Sequence, residues 1–201
     1  MVIIMALKEE TLHKDISLFL QALNFSAEKH RHHRRKDERA SPYINHPIEV
    51  ANVLWTIGKI YDITTIVGAL LHDTIEDTNT SPEEIRLNFG DDILALILEV
   101  TDDKSLPKQE RKVRQIEKSP LLSDRAKLLK LSDKICNIND IANFPPRNWS
   151  CQRRVEYLAW ADSVIAGLRG VNANLEIYFD ESLAAAQKKL ALEKDSAIGE
   201  A

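Results

Sequence analysis

The chain has little cysteine and glycine, and no uncharged apolar stretch long enough to cross a bilayer. Its two cysteines, Cys136 and Cys151, form no Cys-x-x-Cys pair and no disulfide framework. We therefore expect inert, partly buried thiols rather than metal ligands or nucleophiles. Residues 1–7 are apolar but lack a basic start, which argues against a signal peptide. These absences predict a soluble protein of a reducing compartment, the cytoplasm, with no membrane partner.

The chain also lacks a large excess of either charge. Its formal net charge is −4 over 201 residues, which argues against general nucleic-acid binding. The densest basic run, residues 29–36, has no interleaved aromatic residues and no second basic patch to match it. The length fits one domain, which we predict at 1–192, followed by a frayed tail at 193–201.

Alternation of apolar and polar residues with period two is nearly absent. Apolar residues instead recur at three- and four-residue spacing, which predicts an all-α protein. Ser81 and Glu84 form a capping box around Pro82, so a helix begins there, and Gly90 is expected to end it. We predict further helices near 9–30, from 47, and near 63–77, 107–118, 124–142, 148–167 and 170–192.

Four ionisable side chains follow directly on the apolar residues 66–71. They are His72, Asp73, Glu76 and Asp77. In a continuous helix they share one face, within roughly 140° of arc. A mostly buried helix does not carry such charges inward unless something compensates them, and a bound cation is the simplest compensation. For His72 and Asp73 alone, the alternative to a bound cation is that the buried helix simply reaches its solvated end at these residues.

Two other predicted helices carry further candidates. His46 precedes a proline, which disfavours a helical backbone, so we expect it at a helix entrance. It could be a ligand there, or only a cap or a surface residue. Asp133 and Asn137 share a face four residues apart, off the apolar stripe of their helix. Asp133 alone could simply be solvated.

Taken together, His46, His72, Asp73 and Asp133 supply two imidazoles and two carboxylates from different helices. A mixed nitrogen and oxygen site suits Mn²⁺, Fe²⁺ or Zn²⁺ better than Ca²⁺. Such a site can activate water and polarise a phosphoryl oxygen. The sequence therefore indicates metal-assisted chemistry on a phosphate.

The order H…HD…D is the signature of the HD-domain phosphohydrolases, which this chain resembles. Three longer strings are similar to the hydrolase domain of RelA/SpoT-type alarmone enzymes: YINHP at 43–47, LLHDTIED at 70–77 and KLSDK at 130–134. The best resemblance is to the stand-alone small alarmone hydrolases of the metazoan SpoT-homologue type. It extends over about residues 12–180.

The resemblance implies a compact helical HD-domain fold of about eight to ten helices. It also implies that one metal ion, Mn²⁺ above all, is held by His46, His72, Asp73 and Asp133. Glu76 and Asp77 match the family's acidic pair, which positions or deprotonates the attacking water. All six of these residues are present, so nothing in the sequence indicates an inactive site.

On the substrate side, the resemblance implies that Arg35 and Lys36 line the nucleotide pocket, with Arg35 stacking on the guanine. Both belong to the basic run 29–36. From its composition alone, this run could capture a highly phosphorylated ligand, since arginine binds phosphate through two hydrogen bonds. It could equally be a solvated helix end, where cations are also favourable.

Four more pocket residues are implied by the resemblance. Lys108 would reach the phosphates, Asn137 would contact ribose or phosphate, and Arg153 and Tyr157 would face the pocket. By residue type alone, Tyr157 could serve only in helix packing. Arg154 departs from the family, because close relatives have an apolar residue there, and it leaves the rim of the pocket open to question.

The activity implied is hydrolysis of the 3′-pyrophosphate of ppGpp and pppGpp to GDP or GTP and pyrophosphate. The length leaves no room for a synthetase domain, so we expect degradation only. Two alternatives stay open: hydrolysis of another nucleotide phosphate, such as the 2′-phosphate of NADPH, or a sensor that binds alarmone without cleaving it. The intact Glu76–Asp77 pair argues against the sensor.

Overall fold

A computed structural model describes the backbone of residues 2–199 and the side chains of residues 9–194. Within that range the chain forms ten α-helices and one 3-10 turn, and no β-strand. The helices are α1 (Val2–Lys29), α2 (Asn45–Thr56), α3 (Ile63–Leu71), α4 (Thr74–Asp77), α5 (Pro82–Phe89), α6 (Asp91–Val100), α7 (Lys108–Lys118), α8 (Asp124–Asn143), α9 (Cys151–Ala166) and α10 (Ala173–Gly199). The turn is Ser119–Leu121. The all-α prediction is confirmed.

The sequence signals for helix ends were correct at α5. The Ser81 hydroxyl accepts a hydrogen bond from the Glu84 amide, and Gly90 follows with φ of 84°, a region that glycine adopts at little cost. At the other end of the chain, the α10 backbone continues to Gly199, beyond the predicted limit at 192. The side chains of 195–201 lie outside the described residues, as do those of the apolar segment 1–7. The domain limits stay predictions.

The predicted helix 63–77 was wrong in one respect, because it breaks at His72 and Asp73 into α3 and α4. Two side chains form hydrogen bonds with backbone carbonyl groups at the break. The Thr74 hydroxyl donates to the Leu71 carbonyl at 2.6 Å, and the His72 ring Nδ1 lies 2.8 Å from the Ala69 carbonyl. Such bonds compete with the backbone ladder. The four ionisable residues therefore do not share one continuous helix.

The two helices that carry most of the candidate site, α3 and α8, lie in the core. Residues 65–71 are all buried, and α3 packs against α1, α2, α6 and α8. Gly68 allows the close approach of α6, since a Cβ atom there would lie 2.5 Å from Leu96 Cδ2. Fully buried side chains such as Leu131 and Phe179 fill the space between α8 and its neighbours. The candidate site is thus carried by helices that are buried in the core.

The start of α3 is fixed by one carboxylate. Asp62 accepts hydrogen bonds from the Thr65 amide at 3.0 Å and from the Thr65 hydroxyl at 2.6 Å. Arg125, in the first turn of α8, contacts both oxygens of Asp62 at 2.9 and 3.0 Å. This N-cap joins the two site-bearing helices at one end.

Within the described residues, no helix is long and apolar enough to cross a membrane.

Candidate active site

Three of the four predicted metal ligands meet at one point in the core. His46 lies in the first turn of α2, His72 ends α3 and Asp133 is in the middle of α8. All three are buried, and one ligand atom from each lies within 4.8 Å of the others. His46 Nε2 is 3.1 Å from Asp133 Oδ1, and His72 Nε2 is 3.9 Å from the same oxygen.

Asp73 completes the predicted set from the other side of the histidines. Its Oδ2 lies 3.1 Å from His72 Nε2 and 3.9 Å from His46 Nε2. The break between α3 and α4 places Asp73 beside the histidine that precedes it. The structure therefore brings all four predicted ligands together, with the two histidines between the two carboxylates.

The surroundings orient these groups toward a common centre. Because His72 Nδ1 bonds the Ala69 carbonyl, Nε2 is left as the atom that faces the carboxylates. His72 Nε2 is buried, lies 3.1 Å from Asp73 Oδ2 and forms no hydrogen bond of regular geometry within the described residues. His46 turns its Nε2 to the same carboxylates. Two imidazole nitrogens facing two carboxylates fit a divalent transition metal.

Without a metal, a proton can compensate the same charges. Burial disfavours a charged His72, but the neighbouring Asp73 carboxylate outweighs burial and raises the pKa of His72 to about 9. Burial likewise opposes ionisation of Asp133, yet Lys134 and His46 hold its pKa well below the usual range. Lys134 Nζ donates to Asp133 Oδ2 at 2.9 Å. The carboxylates are therefore ionised and available for a cation.

The predicted catalytic pair lies next to this centre, in α4. Glu76 accepts a hydrogen bond from the Asp102 amide at 3.1 Å, and burial raises the pKa of Glu76. Asp77 forms an ion pair with Lys104 and accepts from the Tyr43 hydroxyl at 3.2 Å. A carboxylate with a raised pKa is suited to accept a proton from water near neutral pH.

Two adjacent spaces surround these residues. A cavity of about 180 Å³ is lined by the metal-ligand candidates, Glu76 and Asp77. A larger cleft of about 790 Å³ opens beside it, and both spaces border Tyr43, His46, Asp77 and Asn137. The cleft is rich in basic side chains: His32, His33, Arg34, Arg35, Lys36 and Arg39. The basic run is therefore the wall of a cleft and not only a solvated helix end.

Four of the six predicted substrate contacts line the cleft: Arg35, Lys36, Asn137 and Tyr157. Lys108 and Arg153 are not among its lining residues. They lie instead over the ring of Trp149, which does line the cleft, at 5.9 and 4.3 Å from the ring centroid.

Three residues that form hydrogen bonds or ion pairs with the predicted site residues were not predicted from the sequence. Tyr43 bonds Asp73, Lys134 bonds Asp133, and Asp140 forms an ion pair with Arg35. A signal existed for Asp140, because it follows Asp133 by seven residues and so lies on the same face of α8. Tyr43 and Lys134 stood inside quoted strings, but nothing in the sequence indicated what they contact.

The departure at Arg154 does not affect the rim of the cleft. Its side chain is buried on another face of α9, where it forms an ion pair with Glu193 of α10. Arg154 is not among the residues that line the cleft. Its role is to join α9 to α10.

Comparisons with known proteins identify the family of the chain. A sequence model of the family described as HD domain matches residues 22–159. A Xenopus tropicalis protein named guanosine-3′,5′-bis(diphosphate) 3′-pyrophosphohydrolase MESH1 is 50% identical over 175 residues, which are 85% of this chain and 98% of that protein. The Homo sapiens protein of the same name is 50% identical over 157 residues, 78% of this chain and 88% of the relative.

A solved structure is also similar, that of a metazoan orthologue of SpoT described as hydrolysing ppGpp and acting in starvation responses. It superposes with a TM-score of 0.82 at 46% identity and covers 86% of this chain and 96% of its own. The shared fold, the matched span and the converging His and Asp side chains lead to one conclusion. This chain belongs to the HD-domain family.

Proposed function

We propose that this chain is a metal-dependent 3′-pyrophosphohydrolase of ppGpp and pppGpp, which releases pyrophosphate and GDP or GTP. One observation carries the proposal: a cavity lined by His46, His72, Asp73, Asp133 and the acidic pair shares four wall residues with an adjacent basic cleft of nucleotide size. Relatives about 50% identical over most of their length carry the name of this activity.

We propose that His46, His72, Asp73 and Asp133 hold one Mn²⁺ ion. The choice of Mn²⁺ is supported by two imidazoles and two carboxylates in one buried cluster. A divalent metal bound there supplies Lewis-acid activation of water and of a phosphoryl oxygen.

Glu76 and Asp77 act on the attacking water in this proposal. The water oxygen bonds to the phosphorus nearest the ribose 3′-oxygen, and the bond from that phosphorus to the 3′-oxygen breaks. One proton of the water passes to Glu76, whose raised pKa suits it as a base. The 3′-oxygen takes up a proton as it leaves. Asp77, held by Tyr43 and Lys104, orients the water.

The cleft binds the rest of the nucleotide. Arg35 Cζ lies 5.6 Å from the centroid of the Tyr43 ring, and the guanidinium forms an ion pair with Asp140. In this proposal these two contacts orient the planar guanidinium so that it stacks on the guanine. Lys36 lines the same wall. Together these cations offset part of the charge of four or five phosphates.

The remaining contacts approach from α7, α8 and α9. Asn137 donates to Asp133 Oδ1 at 2.6 Å and stands where cavity and cleft meet, so it can reach the ribose or the 3′-phosphate. Tyr157 lines the cleft, while Lys108 and Arg153 flank it beside Trp149 and provide charge for the 5′-phosphates.

We also propose that the protein acts in the cytoplasm, in the stringent response, and that residues 1–192 form one domain. Its partner in this proposal is a nucleotide, and not a nucleic acid or a membrane. The basic residues 32–36 support this partner, because they face a concave cleft instead of forming an extended surface.

The test is an assay of purified protein with Mn²⁺ against ppGpp, pppGpp and NADPH, in which pyrophosphate and orthophosphate are measured separately. We expect pyrophosphate from ppGpp and pppGpp, abolished by EDTA and by Asp73→Ala but not by Asp162→Ala, a surface control on α9. Orthophosphate from NADPH alone would overturn the substrate assignment. Binding of ppGpp without cleavage would favour the sensor.

A further inference from the structure

The catalytic cavity has an uneven balance of charge. Five carboxylates line it, those of Asp73, Glu76, Asp77, Asp102 and Asp133, but only two lysines, Lys130 and Lys134. A metal ion would offset part of the negative charge. A pyrophosphate group that entered the same space would bring further negative charge, so the position of each cation in the cavity determines where that group can lie.

Most cationic side chains around the cavity form an ion pair with a carboxylate. Lys134 Nζ contacts Asp133 at 2.9 Å and Lys104 pairs with Asp77. Arg111 lies 4.0 Å from Glu76. Lys130 differs from all of these, because within residues 9–194 its ammonium group forms neither a hydrogen bond nor an ion pair.

The location of Lys130 is unusual for a free lysine. It lies on α8 three residues before Asp133, so both side chains extend from the same side of that helix. The side chain is half-buried and borders the cavity. Burial, together with the charge of Lys134, lowers the pKa of Lys130, and the carboxylates of Asp102, Asp133 and Glu76 oppose this shift. An ammonium group on a cavity wall that forms no hydrogen bond or ion pair within the described residues can donate to a bound anion.

Lys130 is also separated from the cations of the cleft. It is not among the cleft-lining residues, whereas Arg35 and Lys36 are. Lys130 also borders a small pocket of about 20 Å³, which shares Val100, Asp102 and Gln115 with the cavity and shares no lining residue with the cleft. Lys130 therefore lies on the wall of the cavity away from the cleft, where it can contact a group inside the cavity but not the part of a nucleotide that stays in the cleft.

We propose that the ammonium group of Lys130 binds the 3′-pyrophosphate of the substrate, and then the pyrophosphate product, on the side of the cavity away from the cleft. The inference rests on the proposed function, because it takes a 3′-pyrophosphate as the reacting group. In the hydrolysis described above, the bond from phosphorus to the 3′-oxygen breaks and the pyrophosphate keeps the attacked phosphorus. Lys130 thus contacts the reacting group before and after cleavage.

The test uses the full-length, Mn²⁺-loaded protein and inorganic pyrophosphate as the probe. Calorimetry gives the Kd of pyrophosphate and of orthophosphate for wild type, Lys130→Met, Lys130→Gln and Lys130→Arg. Because a hydrogen bond to a charged group contributes about 1.5–3 kcal/mol, we expect Lys130→Met to weaken pyrophosphate binding by about 10- to 100-fold. Orthophosphate binding should change less, and Lys130→Arg should restore most of the affinity.

A matched control is Lys127→Met, one turn earlier on α8 and outside the cavity lining. Its pyrophosphate Kd should equal that of wild type. Circular dichroism and thermal melting of each variant establish that it is folded, and Lys130→Gln replaces Lys130→Met if the latter is not. Unchanged pyrophosphate binding in a folded Lys130 variant would overturn the inference, even if its turnover falls.

The same experiment separates this inference from the proposed function. If wild type cleaves ppGpp but pyrophosphate binding does not depend on Lys130, the inference alone fails. If wild type does not cleave ppGpp, the proposed function fails, and Lys130-dependent binding of pyrophosphate would still assign the anion site.

Discussion

The Tyr43 hydroxyl lies 2.6 Å from Asp73 Oδ2 and 3.2 Å from Asp77 Oδ2, so one phenol joins a candidate metal ligand to the candidate catalytic pair. Burial raises the pKa of Tyr43, and the two carboxylates raise it further, so the hydroxyl stays protonated and donates. The His30 ring stacks on Tyr43 at 4.7 Å and fixes its plane. Residues from the turn after α1, the loop before α2, and α4 are thereby joined at the centre.

Tyr43→Phe should weaken metal binding and turnover while leaving the fold intact. Loss of a partner bonded to a metal ligand costs about 10- to 100-fold in metal affinity or activity. We expect a comparable rise in the Mn²⁺ concentration needed for half-maximal rate, measured with ppGpp at saturation. Tyr61→Phe is the control, since Tyr61 is exposed, contacts the Trp55 ring and does not line the cavity or the cleft. Equal metal dependence in wild type and Tyr43→Phe would exclude this role for the phenol.

Asp133→Asn should abolish stoichiometric metal binding. The substitution removes the negative charge that faces His46 and His72, and it leaves the Lys134 ammonium buried without its partner. Metal content after dialysis, measured by mass spectrometry, should fall from about one ion per chain to a small fraction. Added Mn²⁺ should raise the Tm of wild type but not of the variant. Asp162→Asn, on α9, should retain both properties.

His30 should make the metal-free protein less stable as the pH falls. Burial lowers the pKa of His30 to about 4 from its ordinary 6.5, so between these values the unfolded chain binds a proton that the folded chain does not. The free energy of unfolding therefore decreases with falling pH, by at most about 1.4 kcal/mol per pH unit from this group. His30→Phe keeps a ring against Tyr43 and removes the titration.

Urea unfolding in EDTA, between about pH 7 and pH 5, checks this linkage. The difference in unfolding free energy between wild type and His30→Phe should shift in favour of the variant as the pH falls. His72 contributes to both proteins alike and cancels in that difference. Parallel pH curves for the two proteins would contradict the neutral, buried state of His30.

The ion pair between Arg154 and Glu193 should matter for stability and not for the substrate. The Arg154 guanidinium is buried, and Glu193 is its partner from α10. Glu193→Ala leaves that charge uncompensated and should lower the free energy of unfolding by about 2–4 kcal/mol. Arg154→Met removes the buried charge itself, so Glu193 no longer has a charge to compensate. We expect this variant to lower the free energy of unfolding by less than Glu193→Ala does. Chemical denaturation measures both, and the KM for ppGpp should stay within about twofold of wild type in both.

Local sequence was sufficient to predict the helices and to select the candidate metal ligands. Three- and four-residue spacing predicted helices because each helix buries one stripe, and the Ser81 capping box and Gly90 act on their own neighbours. The four ligand candidates were identified because imidazoles and carboxylates are rare next to apolar helical runs. Their convergence followed from the resemblance, not from spacing alone.

Other features depended on contacts between residues far apart in the chain. The break at His72 and Asp73 places Asp73 against both histidines, a result that helical periodicity alone did not predict. Tyr43 meets Asp73 across 30 positions, and Arg35 meets Asp140 across 105. Arg154 meets Glu193 across 39 positions, and this contact between α9 and α10 places it away from the rim of the cleft.

The sequence by itself determined an all-helical chain and the chemistry of its donor atoms. Only the tertiary structure decided which cations are paired and which are free. Lys130 and Lys134 are one turn apart on α8, yet one contacts Asp133 and the other has no partner among the described residues. That distinction depends on distances of a few ångströms between side chains, because electrostatic and hydrogen-bond energies fall steeply over that range, and sequence order does not contain those distances.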